Sequence, residues 1–95
     1  MKNNFDISAF VPIITEEAVT QGLVERFRKR RKEIGVTQRQ LTLRSGVSFG
    51  SVRRFETEGE ISLRSLLRIA SAIGCLEDFE ALFSRPNIRS LKDVK

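Results

Sequence analysis

The spacing of apolar side chains predicts a long helix near the start of the chain. Thr15 is a suitable N-cap, and the two glutamates that follow lie where the positive end of a helix dipole favours carboxylates. Apolar residues then recur on one side of a helical wheel from Leu23 to Ile34. Gly22 lowers the stability of a helix, so a break there, with the main helix beginning at Leu23, is an open alternative.

Three shorter helices are predicted downstream, each with a capping hydroxyl before it and a glycine after it. They span residues 37–45, 48–57 and 63–73. Thr37 and Gln40 form a capping-box pattern at the start of the first one. A last amphipathic segment, 76–83, is expected to be a fifth helix, which Pro86 prevents from continuing. No alternating strand pattern follows residue 15, so the predicted fold class is all-α.

Both ends of the chain differ from this helical middle. Residues 1–14 hold several apolar side chains interrupted by Pro12, which predicts an N-terminal arm or short strand. Residues 85–95 follow the last helical pattern and are expected to form a flexible tail. Residues 15–84 are the predicted domain, since a chain of 95 residues builds one small core rather than two.

The positive charge is concentrated in the middle of the chain. Residues 23–59 carry a net charge of +6, against +5 for the whole sequence. A basic section of this kind indicates a polyanionic partner. The sequence shows no lipidation motif, apolar run of membrane-spanning length or signal-peptide pattern. Nucleic acid is therefore expected as the partner rather than a membrane, and a cytoplasmic location is expected.

Cys75 is the only cysteine, and the chain has no histidine. An internal disulfide, the usual transition-metal sites and a cysteine–histidine nucleophile therefore cannot be assembled. No cofactor or metal is expected, and an enzyme is the least favoured class, because no general acid and base pair is evident. Cys75 lies in an apolar stretch and is expected to pack as a small hydrophobic residue.

The predicted helices 37–45 and 48–57 have the spacing of a helix-turn-helix, with Gly46 permitting the sharp turn between them. A helical wheel divides the second helix into two faces. Val52 and Phe55 point inward. The outward residues, which follow the cap Ser48, are Phe49, Gly50, Arg53 and Arg54.

These outward residues suit the major groove of double-stranded DNA, and Ser48, at the start of the helix, is expected to contact DNA with them. An arginine can donate two hydrogen bonds to guanine, and a phenylalanine can pack on a thymine methyl group. Gly50 would let the groove wall come close, and Gln38 and Arg39 begin the preceding helix, where free backbone amides favour a phosphate. The alternative is that the arginines are only solvated and that Phe49 folds back into the core.

Arg31 differs from the other residues of the basic run 26–32, because it falls in the apolar sector of the first helix. A buried guanidinium requires a carboxylate, since removing one partner of a buried pair costs roughly 3–5 kcal/mol. Glu56 borders the inward face of helix 48–57 and is the best partner. An Arg31–Glu56 ion pair is therefore predicted to fix the angle at which that helix is presented. The residues predicted to face solvent are Arg28, Lys29 and Lys32, and a phosphate contact by these residues is an open alternative.

Several segments together resemble the Cro and phage-repressor (XRE) type of helix-turn-helix domain over about residues 23–75. They are Thr37-Gln38-Arg39-Gln40-Leu41, Ser45-Gly46-Val47-Ser48, Val52-Arg53-Arg54-Phe55-Glu56 and residues 63–74. The resemblance implies a five-helix, lambda-repressor-like fold whose segment 48–57 enters the major groove. It also implies that Gln38 binds phosphate and that Arg31 pairs with Glu56. The loop that holds Glu58 departs from this pattern, since many relatives place basic residues there, so no phosphate contact is expected in it.

The flanks, Glu16-Glu17-Ala18-Val19 and residues 55–63, resemble the HipB-like subset of antitoxins. This closer resemblance implies an autoregulating antitoxin with a kinase-like toxin as partner. The expected function is a sequence-specific repressor that binds a palindromic operator as a homodimer, because one reader helix contacts few base pairs. Two other classes stay open. One is a protein-interaction module of this fold that binds a toxin more than DNA, and the other is an RNA binder, although a chain without Tyr or Trp lacks the usual stacking platform.

Overall fold

The computed structural model describes residues 14–86, and within them the chain is all-helical, as its sequence predicts. The four α-helices are α1 (Glu16–Glu33), α2 (Gln38–Ser45), α3 (Phe49–Glu58) and α4 (Leu63–Ala72). A 3₁₀ helix, Leu76–Phe79, follows α4. The predicted N-terminal arm, apart from Ile14, and most of the predicted C-terminal tail lie outside the described residues. No helix among the described residues is long and apolar enough to cross a membrane.

Each α-helix begins after a threonine or serine whose hydroxyl accepts a hydrogen bond from the backbone N–H three residues later. These N-caps are Thr15, Thr37, Ser48 and Ser62. At α2 the arrangement is reciprocal, because Gln40 N donates to Thr37 Oγ1 at 3.0 Å and Thr37 N donates to Gln40 Oε1 at 2.9 Å. The hydroxyl residues that predict where the helices start are therefore the ones that accept hydrogen bonds from N–H groups of the first turns.

Helix α1 is continuous through Gly22, so the alternative break at that position is not present. The last predicted helix, 76–83, is wrong in kind and in length, because only a short 3₁₀ helix forms there. Its apolar side chains find little to pack against: Leu82 is 54% exposed and Phe83 is 99% exposed, whereas Phe79 contacts the core. Without buried apolar surface, helix propensity alone does not hold a segment of eight residues in α-helical form.

The core lies where α2, α3 and α4 meet. Its largest fully buried side chains are Leu41, Val52, Phe55 and Ile69. Helix α1 joins this core through Phe27, whose ring meets that of Phe55 edge-on with centroids 5.4 Å apart and planes at 77°. The inward face of α3 is thus packed against α1 and α2, and α2 also packs against α4.

Cys75 is buried beside the core, as the sequence predicts. Burial raises the pKa of its thiol, and the positive charge of Arg30 opposes this effect in part. Arg30 Nη1 lies 3.1 Å from the Sγ atom and donates a hydrogen bond to it. Cys75, as a neutral thiol, therefore accepts a hydrogen bond that links the end of α1 to the segment after α4.

Gly59 ends α3 with a left-handed backbone, φ +77°, at a close approach to α1. A Cβ atom at this position would collide with the Cγ2 methyl of Thr20. Thr20 cannot turn away freely, because its hydroxyl donates to Glu16 O at 2.8 Å. Gly46, in the turn between α2 and α3, has a similar φ of +79°, but no atom lies within 4 Å of a Cβ built there.

We expect Gly59→Ala to destabilise the protein more than Gly46→Ala. Both substitutions place a Cβ on left-handed backbone, which costs about 1–2 kcal/mol. Only Gly59→Ala also overpacks a contact, which adds about 1–3 kcal/mol. Urea unfolding followed by far-UV circular dichroism gives the free energy of unfolding of both variants. Equal losses of this free energy would show that α1 moves away at Thr20 without cost, and would contradict the prediction.

Candidate functional site

The carboxylate of Glu56, on the inward face of α3, joins three helices. Arg31 donates from Nε to Glu56 Oε2 and from Nη2 to Glu56 Oε1, both at 2.8 Å. The two side chains are 8% and 1% exposed. This geometry is bidentate and shielded from water, which is the strong form of an arginine–carboxylate contact. The ion pair predicted from the sequence is thus present and fixes α3 to α1.

Two further contacts complete this buried cluster. Gln38, the first residue of α2, donates from Nε2 to Glu56 Oε1 at 2.8 Å. Arg31 Nη1 donates to the backbone oxygen of Val36, in the loop between α1 and α2, at 2.9 Å. Every polar group that burial removes from water here has a partner, so the cluster avoids the cost of an unpaired buried charge.

Arg28 is a member of this cluster that the sequence reasoning missed. Its Nε lies 3.5 Å from Glu56 Oε1, and its side chain is 47% exposed. Its position outside the apolar sector of α1 predicts a solvated side chain. The available signal was its position three residues before Arg31, which places the two side chains as neighbours on a helix surface.

The turn between α2 and α3 sets the outward face of α3. Gly46 provides left-handed backbone at the end of α2, and Ser45 Oγ accepts a hydrogen bond from Val47 N at 3.0 Å. Ser48 then caps α3: its Oγ accepts from Ser51 N at 3.1 Å and donates to Ser51 Oγ at 2.9 Å. The Ser48 hydroxyl is therefore committed to the helix start.

Phe49 lies on the outward face of α3 between two guanidinium groups. The Cζ atom of Arg39, from the first turn of α2, is 4.1 Å from the centroid of the Phe49 ring. The Cζ atom of Arg53, one turn along α3, is 5.8 Å from the same centroid. Both distances are within the range of cation–π attraction. We name these three residues the Arg39–Phe49–Arg53 cluster; its arginines are exposed, its ring is half-buried, and Gly50 beside it is exposed.

Arg54 is also exposed, but acidic side chains hold it. Its Nε lies 3.4 Å from Glu58 Oε1, and its Nη2 lies 3.1 Å from Glu60 Oε1. The sequence reasoning placed Arg54 with Arg53 and did not foresee these pairs, although the spacing of four residues between Arg54 and Glu58 was a visible signal. The two neighbouring arginines of α3 are therefore in different electrostatic surroundings.

The N-terminus of α2 presents backbone donors beside the Arg39–Phe49–Arg53 cluster. The capping box satisfies the N–H of Gln40, while the N–H groups of Gln38 and Arg39 lie in the first turn, where no intrahelical acceptor exists. Together with the guanidinium of Arg39, these amides form a positive end that suits an anion. Of the predicted outward residues of α3, Phe49, Gly50 and Arg53 thus lie together beside this helix N-terminus. Arg54 instead pairs with Glu58 and Glu60.

Glutamates line a cleft of 670 Å³ between the first half of α1 and the end of α3. Its acidic residues are Glu16, Glu17, Glu25, Glu56, Glu58 and Glu60. Glu56 is neutralised by its partners in the buried cluster, and Glu58 and Glu60 pair with Arg54. The negative potential of this surface therefore comes mainly from Glu16, Glu17 and Glu25. The molecule therefore has a basic surface on the outward side of α3 and an acidic one next to it.

Residues 27–79 match the family model described as helix-turn-helix. The match covers more than half of the 95 residues and includes the buried Glu56 cluster, the Arg39–Phe49–Arg53 cluster and the whole of α2, α3 and α4. Searches of the curated proteins and of the solved structures give no significant match to this chain.

We expect Glu56→Gln to destabilise the fold by about 3–5 kcal/mol, because it leaves the Arg31 guanidinium buried without a counter-charge. The double variant Arg31→Met, Glu56→Leu should recover most of this loss, since apolar residues of similar volume often replace a buried pair at no net cost. Urea unfolding followed by far-UV circular dichroism measures both. A double variant no more stable than Glu56→Gln would contradict this account.

Proposed function

Because this chain belongs to the XRE-type helix-turn-helix family of DNA-binding proteins, we propose that it is a sequence-specific transcription regulator that inserts α3 into the major groove. The observation that carries this proposal is the division of α3 into two faces. Val52, Phe55 and Glu56 hold the helix from inside, while Phe49 and Arg53 stand outward on a rigid support. Precise support of this kind is what base recognition requires.

Phosphate contacts follow from the residues that flank α3. We propose that the first-turn amides of α2 and the guanidinium of Arg39 bind one backbone phosphate. Gln38 Nε2 carries two hydrogens and gives one to Glu56, so its second hydrogen is available to the same phosphate. The buried cluster would then position the phosphate-binding residue and the reader helix together.

Arg53 and Arg54 have different roles in this proposal. Arg53 has no carboxylate partner among the ion pairs of the described residues, and it can donate to guanine O6 and N7. Arg54 lies against Glu58 and Glu60, which reduce the positive charge that it offers to DNA. We therefore propose that Arg53 reads a base pair and that Arg54 adds to binding without reading sequence.

Arg53→Ala should weaken binding to a specific site by about 1–3 kcal/mol and relax specificity at one position. Arg54→Ala is the matched control, since it removes the same charge one residue away. It should produce a smaller loss that is equal for specific and scrambled DNA. Fluorescence anisotropy with DNA from upstream of the protein's own gene measures both variants.

The two variants also test the reader assignment itself. Equal losses of specificity from Arg53→Ala and Arg54→Ala would contradict the division of roles. Equal affinity of the wild-type protein for specific and scrambled DNA would contradict sequence-specific recognition.

We propose that the protein binds its operator as a homodimer through the outer face of α4. A groove of 540 Å³ there is lined mainly by Leu63, Leu67 and Leu76. Leu63 is 66% exposed, and leucines four residues apart with another beyond the helix form a continuous apolar stripe. An exposed apolar stripe of this kind is typical of an interface.

The charges around this stripe favour a second copy of the chain as its partner. Arg64 and Arg68 line the groove along α4, and Glu77 and Asp78 lie on the 3₁₀ helix next to Leu76. In a two-fold symmetric contact, α4 of one copy can face the 3₁₀ helix of the other, so that each basic pair meets an acidic pair. Two-fold symmetry would then require a palindromic operator with half-sites about one helical turn apart.

Leu63→Glu should convert the dimer to a monomer, because it places a charge in the apolar stripe. Leu43→Glu is the matched control, since Leu43 is 83% exposed on α2 and does not line this groove. Gel filtration with light scattering gives the mass of both variants and of the wild type. A monomeric wild type at high micromolar concentration, or a dimeric Leu63→Glu variant, would contradict the proposed interface.

A second candidate function is protein interaction through the acidic cleft, and the presence of that cleft is the observation that favours it. We propose that an antitoxin of the HipB-like kind would use this surface to bind a basic region of a kinase-like toxin encoded beside it. The variant Glu17→Gln, Glu25→Gln should weaken such a complex and leave DNA binding intact, because neither glutamate pairs with an arginine of α3. Co-purification with the product of the adjacent gene tests this, and a complex insensitive to the variant would contradict it.

A further inference from the structure

We propose that Phe49 and Arg53 together recognise a guanine beside a pyrimidine that carries a 5-methyl group, which is either thymine or 5-methylcytosine. This inference rests on the proposed function, because it names the base step that α3 reads. It is carried by the geometry of the Arg39–Phe49–Arg53 cluster.

The chemistry of the Phe49 ring limits what it can recognise. The ring has no conventional hydrogen-bond donor or acceptor, so on the edge of a base it favours an apolar group. In the major groove, the base edges present nitrogen and oxygen atoms, with the 5-methyl group of thymine as the apolar exception. Cytosine methylated at carbon 5 presents the same methyl group. The 5-methyl group offers more apolar surface than the C–H groups on the other base edges, so an outward phenylalanine on a reader helix favours a methylated pyrimidine.

The distance between Phe49 and Arg53 indicates that their two targets are neighbours. The Arg53 Cζ atom is 5.8 Å from the ring centroid. Successive bases lie about 3.4 Å apart along a strand, and two steps would require about 6.8 Å. Because 5.8 Å is shorter than two base steps, a guanidinium that donates to guanine O6 and N7 keeps the ring within reach of the adjoining base.

Arg39 acts as a positioning residue for this contact. Its guanidinium, 4.1 Å from the ring centroid, covers part of the half-buried Phe49 side chain and restricts its rotation. The ring is therefore held before DNA arrives, and less side-chain freedom is lost on binding. The N–H groups at the edge of the same guanidinium can still donate to the phosphate proposed above.

One consequence is that the protein should respond to cytosine methylation. A step of thymine and guanine and a step of 5-methylcytosine and guanine offer this cluster the same methyl group and the same guanine acceptors. An unmethylated cytosine in that position lacks the methyl group. Methylation of one cytosine would therefore strengthen binding instead of blocking it.

The test uses the full chain and synthetic duplexes. Sequences are first selected from a random duplex library, and the dissociation constant of the enriched duplex is measured by fluorescence anisotropy. The thymine beside the guanine is then replaced by deoxyuridine, which removes the methyl group alone. Burial of one methyl corresponds to about fourfold in affinity, so we expect a loss of about fourfold for each replaced thymine. Placing 5-methylcytosine instead of cytosine there should give a gain of about fourfold.

Phe49→Ala should abolish the difference between thymine and deoxyuridine. Phe83→Ala, which removes a fully exposed ring far along the chain, should keep the wild-type ratio. Because the decisive change is made in the DNA, the result for the wild-type protein does not depend on the folding of a variant.

The outcomes separate this inference from the proposed function. An enriched sequence that binds equally well with thymine and with deoxyuridine overturns the inference and leaves sequence-specific recognition standing. The same holds for an enriched sequence without a methylated pyrimidine beside a guanine, or for Phe49→Ala retaining the fourfold ratio. A library with no enriched sequence contradicts the proposed function and the inference with it.

Discussion

The buried carboxylate of Glu56 is the constraint on which the arrangement of α1, α2 and α3 depends. Taking a carboxylate and a guanidinium out of water is costly, and their attraction repays the cost only where the remaining hydrogen-bonding groups are satisfied. Here Arg31 supplies two hydrogen bonds and Gln38 a third. An apolar contact in the same place could slide or rotate, whereas a bidentate pair accepts one geometry. The cluster therefore contributes orientation more than net stability.

That orientation matters because one helix of ten residues serves both the core and the outward surface. Val52 and Phe55 are enclosed by the other helices, and Phe49 and Arg53 are carried on the opposite side of the same backbone. Any rotation of α3 that exposed its apolar face would also separate Glu56 from Arg31. Packing and hydrogen bonding thus both oppose rotation of α3. The outward side chains are therefore held in place by the contacts of the inward ones.

The sequence predicts this architecture well where a local rule decides the outcome. Capping hydroxyls and terminal glycines locate the four α-helices, and the helical wheel identifies Arg31 as a buried cation that requires Glu56. Prediction from the sequence fails where the structure of a segment depends on the surface that another part of the chain offers it. Residues 76–83 have an apolar face, but periodicity cannot show that little surface is available to receive it. Arg28 reaches Glu56 along a flexible side chain, which a wheel drawn from Cα positions does not represent.

The pairing of Arg54 with Glu58 and Glu60 has a consequence for how salt acts on this protein. Binding to DNA gains free energy from cations that leave the phosphates, in proportion to the number of phosphates neutralised. An arginine that already has two carboxylates as counter-charges displaces few of those cations unless the carboxylates move away. The number of basic residues in the chain therefore overestimates the salt-dependent part of its free energy of binding to DNA. In the proposed complex, a larger share of the binding free energy would then come from groove contacts, which ionic strength affects little. Discrimination between sequences would persist at salt concentrations where non-specific association is already lost.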